Sequence, residues 1–318
     1  MGEKRKYIRS VYPEDIEKIN SQNKDLLDKF LVGKRNLSDT TRNSYSGDIL
    51  AFLVYILKHA ENKHLFDIDV EEMAEIIDDY ISYCSIVLGN SERRLARRTS
   101  SISSLYIFYK KRRKAKENPV ELLERVKATS GQYVTAHVFL SAEQVEKIRS
   151  RLRENSNIPL ELYFELALFT MARINALCSI RLNQVDLEKK IIVGVVEKEG
   201  YVVNLYFSDR VKTLIGKWLA ERSQIGIESE LLLCTKRGSD IKSTIQTTYT
   251  QTLSEYAGVK GVTAHCLRRS GSDLRKKAGM TLEDISKLLN HKSTAVTQAH
   301  YVQADYEKLR EEVDRYDI

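Results

Sequence analysis

Apolar residues recur every three or four positions through the first third of the chain, which is the spacing of helices that bury one face. The pattern predicts four amphipathic helices there, the second of them capped by Ser38 or Asp39. Their approximate ranges are 16–31, 39–56, 70–88 and 91–114. Pro119 ends the fourth, and a short helix at 120–126 is expected to follow. The whole chain has three prolines and 14 glycines, few enough to favour helix throughout.

The second half combines the same helical spacing with one pair of β-rich segments, 191–196 and 201–207. The residues between them, 197–200, end in a glycine and predict a hairpin turn. Ser141 and Gln144 have the spacing of a capping box, which predicts the start of a helix. Further helices are predicted at 160–170, 214–220, 241–257, 263–278, 281–289, 293–301 and 304–316. The predicted fold class is therefore mainly α with a small antiparallel β-sheet.

A length of 318 residues favours two domains, because a single hydrophobic core rarely grows beyond about 300 residues. Residues 128–140 have the composition of a loop and are the predicted linker. We expect a basic N-terminal arm at 1–14, a helical domain at 15–127, and a second domain at 141–318 that ends in a helix.

The chain carries 51 lysines and arginines against 44 acidic residues, a net charge of +7 that suggests a polyanionic partner. The four cysteines lie far apart without the spacing of metal ligands, which favours a reduced, intracellular protein with no metal site. No apolar stretch is long enough for a signal peptide or a membrane span. We therefore expect a cytoplasmic, nucleoid-associated protein without membrane contact.

The predicted fourth helix has basic residues at both ends and an apolar centre. This composition is typical of a helix that contacts DNA, although a run of charge is also common on a solvated helix face. The candidate DNA-binding residues in the first half are Arg42, Arg93, Arg94, Arg97 and Arg98. Those in the second half are Lys212 and Lys242.

Four residues suited to binding and attacking a phosphodiester lie in the stretch 263–303. They are His265, Arg268, His291 and Tyr301. Each alone is commonplace, as a surface cation, a satisfied core histidine or a packed tyrosine. In this order and spacing the set resembles the tyrosine recombinase family, which includes phage integrases and Xer-type and Cre-like enzymes, and the family pattern adds Arg173 and Lys198 as matching positions. The resemblance covers about residues 141–303, and the N-terminal helices are similar in kind to the SAM-like core-binding domain of that family.

The resemblance implies a site-specific recombinase or integrase that cuts and rejoins DNA through a 3′-phosphotyrosyl intermediate. Arg173 and Arg268 would hold the two non-bridging phosphate oxygens, since guanidinium groups stabilise the charge that gathers there during attack on phosphorus. No metal, ATP or other cofactor is implied.

The other four positions would handle the nucleophile and the protons. Tyr301 would attack phosphorus as the nucleophile, and His265 would accept its phenol proton. His291 would donate a hydrogen bond to a phosphate oxygen. Lys198, on the predicted hairpin, would protonate the leaving 5′ oxygen as the general acid.

Three positions depart from the family pattern. Ala176 stands where the third residue after the first arginine is usually glutamate, and Asn290 replaces the glycine before the second histidine. Asparagine tolerates unusual backbone angles better than most residues. The usual position of the tyrosine holds His300, and Tyr301 follows it; on a helix one residue turns a side chain by about 100°. A second hypothesis therefore stays open, a catalytically inactive DNA-binding relative such as a phage or mobile-element transcription repressor.

Double-stranded DNA is the expected partner, bound mostly through phosphate contacts that make binding salt-dependent. The resemblance implies that the two domains form a clamp around the duplex. It also implies that the helix at 304–316 docks on a neighbouring subunit, giving homodimers or homotetramers on DNA. A topoisomerase that relaxes supercoils with similar chemistry is a third hypothesis.

Overall fold

The computed structural model describes residues 11–35, 37–124, 138–197 and 200–290, together with Thr294 and Thr297. These residues belong to two compact units that divide between Val134 and Thr135, and each unit is described by itself. The segments predicted as an arm at 1–14, as a linker at 128–140 and as helices at 293–301 and 304–316 lie mostly or wholly outside the described residues. Among the helices described, none is long and apolar enough to span a membrane.

The described part of the first unit is helical, as the spacing of its apolar residues predicted. Its helices are α1 (Pro13–Lys18), α2 (Ser21–Gly33), α3 (Asp39–His59), α4 (Val70–Ile86) and α5 (Glu92–Lys110), followed by a 3₁₀ turn at Pro119–Leu122. The Ser38 hydroxyl caps α3, as expected. Apolar faces of all the long helices pack into one core, which includes Phe30, Phe52, Ile77 and Ile102.

The single helix predicted over 16–31 is wrong, because the chain leaves helical geometry at Ile19 and Asn20. The Asn20 side chain accepts a hydrogen bond from the Gln22 N–H at 2.8 Å, and the Asn20 N–H donates to Asn62 Oδ1 at 2.9 Å. Asn20 therefore caps a new helix and is tied to the connection after α3. The apolar spacing does not reveal the break, since Ile19 stays buried.

The described part of the second unit consists of helices and one small three-stranded sheet. In chain order the elements are α6 (Ala142–Asn155), α7 (Ile158–Thr170), α8 (Ile174–Ser179), β1 (Val185–Asp186), β2 (Ile191–Val196), β3 (Val202–Tyr206), α9 (Asp209–Ile225), α10 (Lys242–Thr244), α11 (Thr250–Ala257), α12 (Ala264–Lys277) and α13 (Leu282–Leu288). A 3₁₀ turn at Leu182–Gln184 precedes β1, and a π-helical turn at Ile245–Tyr249 joins α10 to α11.

Helix α7 is the centre of this unit, since it is buried along nearly its whole length and packs against α9 and α12. Ser141 and Gln144 form the predicted capping box at the start of α6. The three strands are antiparallel in the order β1-β2-β3, and the predicted hairpin joins β2 to β3. The predicted fold class, mainly α with a small antiparallel sheet, is confirmed.

Candidate active site

Arg173 lies just after α7, where the chain turns sharply at Met171. Met171 has a φ of 55°, in the left-handed region, and its side chain is fully buried. The Thr170 hydroxyl donates to the Leu166 carbonyl at 2.7 Å and accepts from the Ala172 N–H at 3.2 Å. This turn ends α7 and makes Arg173 the N-cap residue of α8. The core therefore fixes the backbone that carries Arg173.

Helix α12 carries His265 and Arg268 and lies directly against α7. Thr263 caps its first turn through its hydroxyl. Gly271 permits the close approach, because a methyl group at this position would stand 2.2 Å from the Leu168 carbonyl oxygen. The close contact between Gly271 and Leu168 thus holds α12, with His265 and Arg268, against the end of α7.

Arg268 is buried, with 1% of its surface exposed. Its guanidinium donates to the Met171 carbonyl, and at 2.8 Å to the Leu289 carbonyl. Met171, Ile285 and Leu289 also form a small apolar cluster. Arg268 therefore joins three segments: the turn after α7, helix α12, and the end of α13.

Asn290 directly precedes His291 and has a φ of 52°. Its N–H donates to the Lys287 carbonyl at 3.0 Å, closing the last turn of α13. This φ lies in the left-handed region, which asparagine and glycine adopt more readily than other residues.

Arg173, His265 and Arg268 line one cavity of about 440 Å³ in the second unit. The other walls come from α8, including Ala176, from the π-helical turn and α11, and from Glu197 at the end of β2. The fold thus brings three of the six predicted residues together. The other three, Lys198, His291 and Tyr301, lie outside the described residues.

Glu197 is a candidate that the sequence analysis missed, because it was treated as part of a turn. Its carboxylate accepts a hydrogen bond from the Arg173 guanidinium, and its other oxygen lies 3.9 Å from Arg268 Nη1. The Glu197 side chain is 3% exposed, whereas that of Arg173 is 32% exposed. The carboxylate is therefore buried behind Arg173, which keeps exposed surface.

A bulge in β2 separates two parts of the β2–β3 pairing. Ile192 pairs with Leu205 and Val195 pairs with Val203, so β2 has one more residue than β3 between these pairs. Gly194 lies within the bulge with a φ of 67°, a conformation that glycine adopts without strain.

The bulge decides which way Glu197 faces. Side chains alternate along a strand, so one extra residue reverses the alternation beyond it. Val195 and Glu197 are buried as a result, while Val196 is exposed. A glycine inside a β-rich segment is typical of a bulge, so Gly194 is the signal that could have indicated an inward Glu197.

In the first unit, two of the predicted DNA-binding arginines meet at Asp48. The buried Asp48 carboxylate accepts two hydrogen bonds of 3.0 Å from Arg97 and lies 3.3 Å from Arg94. The Ser101 hydroxyl donates to it at 3.1 Å. These arginines and polar residues of α3 line a cleft of about 850 Å³, and Arg93, next to Arg94 in the first turn of α5, is exposed. The carboxylate thus fixes two cations on an accessible surface.

The structure does not favour Arg98 as a DNA contact, because it lines the same cleft but is only 5% exposed. Its guanidinium donates to the Tyr80 hydroxyl and lies 5.7 Å from the centre of that ring. The reason is helical spacing, because Arg98 is one turn before the buried Ile102. Arg42 is half-buried and donates to the Leu31 carbonyl.

The two candidates in the second unit are partly exposed and do not line the cavity. Lys212 pairs with Glu188 at 3.2 Å. Lys242 begins α10, where its N–H donates to Asp240 Oδ1 at 2.6 Å.

Within the described ranges, no cluster of three histidine, cysteine, aspartate or glutamate side chains could hold a metal ion. All four cysteines are buried and form no disulfide. Burial raises the pKa of the Cys178 and Cys266 thiols to about 11, so both are neutral and poor nucleophiles at neutral pH. The chemistry of the described cavity is that of guanidinium, imidazole and carboxylate groups.

Residues 138–308, just over half of the chain, match the phage integrase family. A tyrosine recombinase of Pseudothermotoga lettingae is 25% identical over 295 residues, which cover 88% of this chain and 93% of that protein. The tyrosine recombinase XerC of Roseiflexus castenholzii is 25% identical over 285 residues, which cover 86% of each protein.

Solved structures share the fold over nearly the full chain. The XerH site-specific recombinase bound to a palindromic difH substrate, in a post-cleavage complex, has a TM-score of 0.71 at 18% identity and covers 95% of this chain and 90% of its own. A lambda integrase dimer bound to a COC′ core site has a TM-score of 0.63 at 20% identity and covers 91% of this chain and 81% of its own. With the family match over the second unit, these likenesses lead to one conclusion: the chain belongs to the phage integrase family of tyrosine recombinases.

Proposed function

We propose that this protein is an active site-specific DNA recombinase that cuts and rejoins DNA through a 3′-phosphotyrosyl intermediate. The observation that supports the proposal most is the cavity where Arg173, His265 and Arg268 meet. The start of α8 and the first turn of α12 are far apart in sequence and converge there, and their side chains suit a phosphodiester that gains negative charge during attack.

In the proposed reaction, Arg173 binds the scissile phosphate directly. Its side chain is 32% exposed and lines the cavity. A planar guanidinium matches two phosphate oxygens at once.

Arg268 contributes its charge from the wall of the cavity. Two backbone carbonyls hold its buried guanidinium, so the charge is fixed before substrate arrives. A fixed charge in a poorly solvated wall stabilises developing negative charge more strongly than the same charge in water.

The proposed cleavage step forms one bond to phosphorus, breaks another, and transfers two protons. The Tyr301 oxygen attacks phosphorus, the bond from phosphorus to the 5′ oxygen breaks, and His265 takes the phenol proton. Lys198 gives a proton to the leaving 5′ oxygen, and His291 donates a hydrogen bond to a phosphate oxygen. Rejoining reverses these steps. The roles of Lys198, His291 and Tyr301 rest on the family resemblance.

We further propose double-stranded DNA as the partner. The XerH and lambda integrase structures are both of DNA-bound proteins, the latter a dimer. Arg93, Arg94 and Arg97 would bind phosphates through the first unit, with Arg42, Lys212 and Lys242 as further contacts. The segment 304–316 would dock on a second copy of the chain, which gives a homodimer or homotetramer on DNA.

A nicked duplex tests the proposal, because loss of the short fragment beyond the nick traps the covalent intermediate. A suitable target sequence can be selected from a random duplex pool by binding. We expect the wild-type protein to form a protein–DNA adduct that survives denaturation. Tyr301→Phe should abolish the adduct and keep DNA binding, while Tyr206→Phe, at an exposed tyrosine of β3, should leave the adduct unchanged.

The alternative is a DNA-binding repressor without cleavage activity, and it rests on the late position of Tyr301. It predicts specific, salt-sensitive binding of the selected duplex and no adduct from the wild-type protein. Binding without any adduct would therefore refute the recombinase proposal and favour the repressor.

A further inference from the structure

The carboxylate of Glu197 neither binds the phosphate nor moves a proton in the reaction proposed above, yet it lines the cationic cavity. It accepts a hydrogen bond from Arg173 and lies 3.9 Å from Arg268. A buried carboxylate is costly unless cations and donors compensate it. Its place between two arginines of a candidate phosphate site therefore calls for a function.

Burial distinguishes two possible functions. A carboxylate that occupied the phosphate position would lie on the exposed side of Arg173 and share its access to solvent. Instead, the Glu197 side chain is 3% exposed and that of Arg173 is 32% exposed. Glu197 supports Arg173 from behind and leaves its outer surface available for an anion.

The backbone of Glu197 is held as firmly as its side chain. Its N–H donates to the Tyr201 carbonyl at 2.7 Å, and its carbonyl accepts from the Gly200 N–H at 3.2 Å. These bonds close the hairpin, and the bulge at Gly194 sets the inward direction of the side chain. Glu197 directly precedes Lys198 in the sequence. Its ion pair with Arg173 therefore fastens this end of β2 to the cavity.

Ala176 lines the same cavity and is fully buried. It stands one helical turn after Arg173, on α8, where a longer acidic side chain would be well placed to reach that arginine. The chain therefore has a methyl group on the helix and a carboxylate on the facing hairpin.

We propose that Glu197 is a positioning residue that orients Arg173 for the scissile phosphate and docks the β2–β3 hairpin at the cavity. It supplies from the hairpin the carboxylate that position 176 of this chain lacks. The inference rests on the proposed recombinase function.

The first test compares Glu197→Gln with wild type, since glutamine keeps the size of the side chain and removes its charge. We expect the rate of adduct formation on the nicked duplex to fall about 100-fold, the effect of a misplaced catalytic group. Affinity for the uncut duplex should change less than about threefold, because other phosphate contacts dominate binding. Glu228→Gln, at an exposed acid in the loop after α9, is the matched control and should keep the wild-type rate. A wild-type rate for Glu197→Gln would overturn the proposal.

The second test moves the carboxylate. Glu197→Ala should form the adduct as slowly as Glu197→Gln. Adding Ala176→Glu or Ala176→Asp to Glu197→Ala should raise the rate of adduct formation at least about tenfold. A merely structural role for Glu197 predicts no recovery. Double variants that melt near the wild-type temperature and are no faster than Glu197→Ala would overturn the shared role of the two positions.

A third readout needs no activity and separates this inference from the proposed function. Glu197→Gln should lower the melting temperature less in an Arg173→Gln background than in wild type, because the ion pair is then already broken. Equal shifts in the two backgrounds would overturn the ion pair. A wild-type protein that forms no adduct but keeps this coupling would refute the recombinase function and leave the orientation of Arg173 by Glu197 intact.

Discussion

Gly271→Ala perturbs the contact on which the candidate site is built. The added methyl group would lie 2.2 Å from the Leu168 carbonyl oxygen and 3.0 Å from Met171 Cγ. Carbon–oxygen contacts in proteins are about 3.3 Å or longer, so α12 would have to move by roughly 1 Å from α7. Neither obstacle can rotate away easily, since one is backbone and the other belongs to a fully buried side chain.

The expected loss of stability follows from two opposing terms. Overpacking a core contact costs about 1–3 kcal/mol, and replacing glycine by alanine inside a helix returns roughly 0.5–1 kcal/mol. A net loss of about 1–2 kcal/mol should lower the melting temperature of a unit of this size by roughly 3–8 °C. Gly216→Ala is the control, because Gly216 lies in α9 with open space around its Cα. It should keep or slightly raise the melting temperature.

The same shift should reach the site through Arg268, which is on α12 and donates to the Met171 carbonyl. Because a displacement of about 1 Å in a catalytic group can cost about 100-fold in rate, Gly271→Ala should slow adduct formation by this order while Gly216→Ala does not. Thermal melting followed by circular dichroism and single-turnover adduct formation measure the two effects. A Gly271→Ala protein that melts and reacts like Gly216→Ala would refute the close α7–α12 contact.

Three further predictions concern the charged surface, the turn before His291 and the buried thiols. Arg93→Ala should reduce the slope of log K against log salt by about 0.9 in DNA titrations, whereas the buried Arg98→Ala should lower the melting temperature and leave the slope unchanged. Asn290→Ala should destabilise the protein by about 1 kcal/mol in urea melts and Asn290→Gly should not, because the residue has a φ of 52°; equal effects would contradict the left-handed turn. Burial raises the pKa of the Cys178 and Cys266 thiols from 9.0 to about 11, so stability should be full below pH 9.0 and fall toward pH 11, by up to roughly 2–3 kcal/mol per thiol. A double alanine variant should show a shallower decline in urea melts over this window, and an identical decline would contradict the assignment.

Local signals in the sequence predicted most of the fold. Apolar spacing predicted the long helices because each buries one continuous face, and the capping box at Ser141 predicted the start of α6. The break at Asn20 escaped because its cap depends partly on Asn62, which is distant in sequence. The two-residue strand β1 escaped as well, since two residues are too few to show alternation.

The sequence predicted the site residues that contribute charged or proton-accepting side chains to the proposed reaction. Arg173, His265 and Arg268 were named from the resemblance to the tyrosine recombinase family, and they share one cavity. The sequence analysis missed Glu197 because a bulge in β2 turns its side chain inward. Local propensity does not describe which face of the sheet a side chain takes after a bulge. The run of arginines was taken as one surface, although helical spacing leaves Arg98 only 5% exposed.

The most direct test of the account is the rate at which Arg173→Ala forms the covalent adduct at saturating protein, beside Arg151→Ala as a control at an exposed arginine of α6. The account predicts that Arg173→Ala reacts about 100- to 1,000-fold more slowly than wild type, with DNA affinity nearly unchanged, since it loses a donor to the developing charge. It predicts a wild-type rate for Arg151→Ala. A wild-type rate for Arg173→Ala would show that the scissile phosphate reacts elsewhere and would contradict the account.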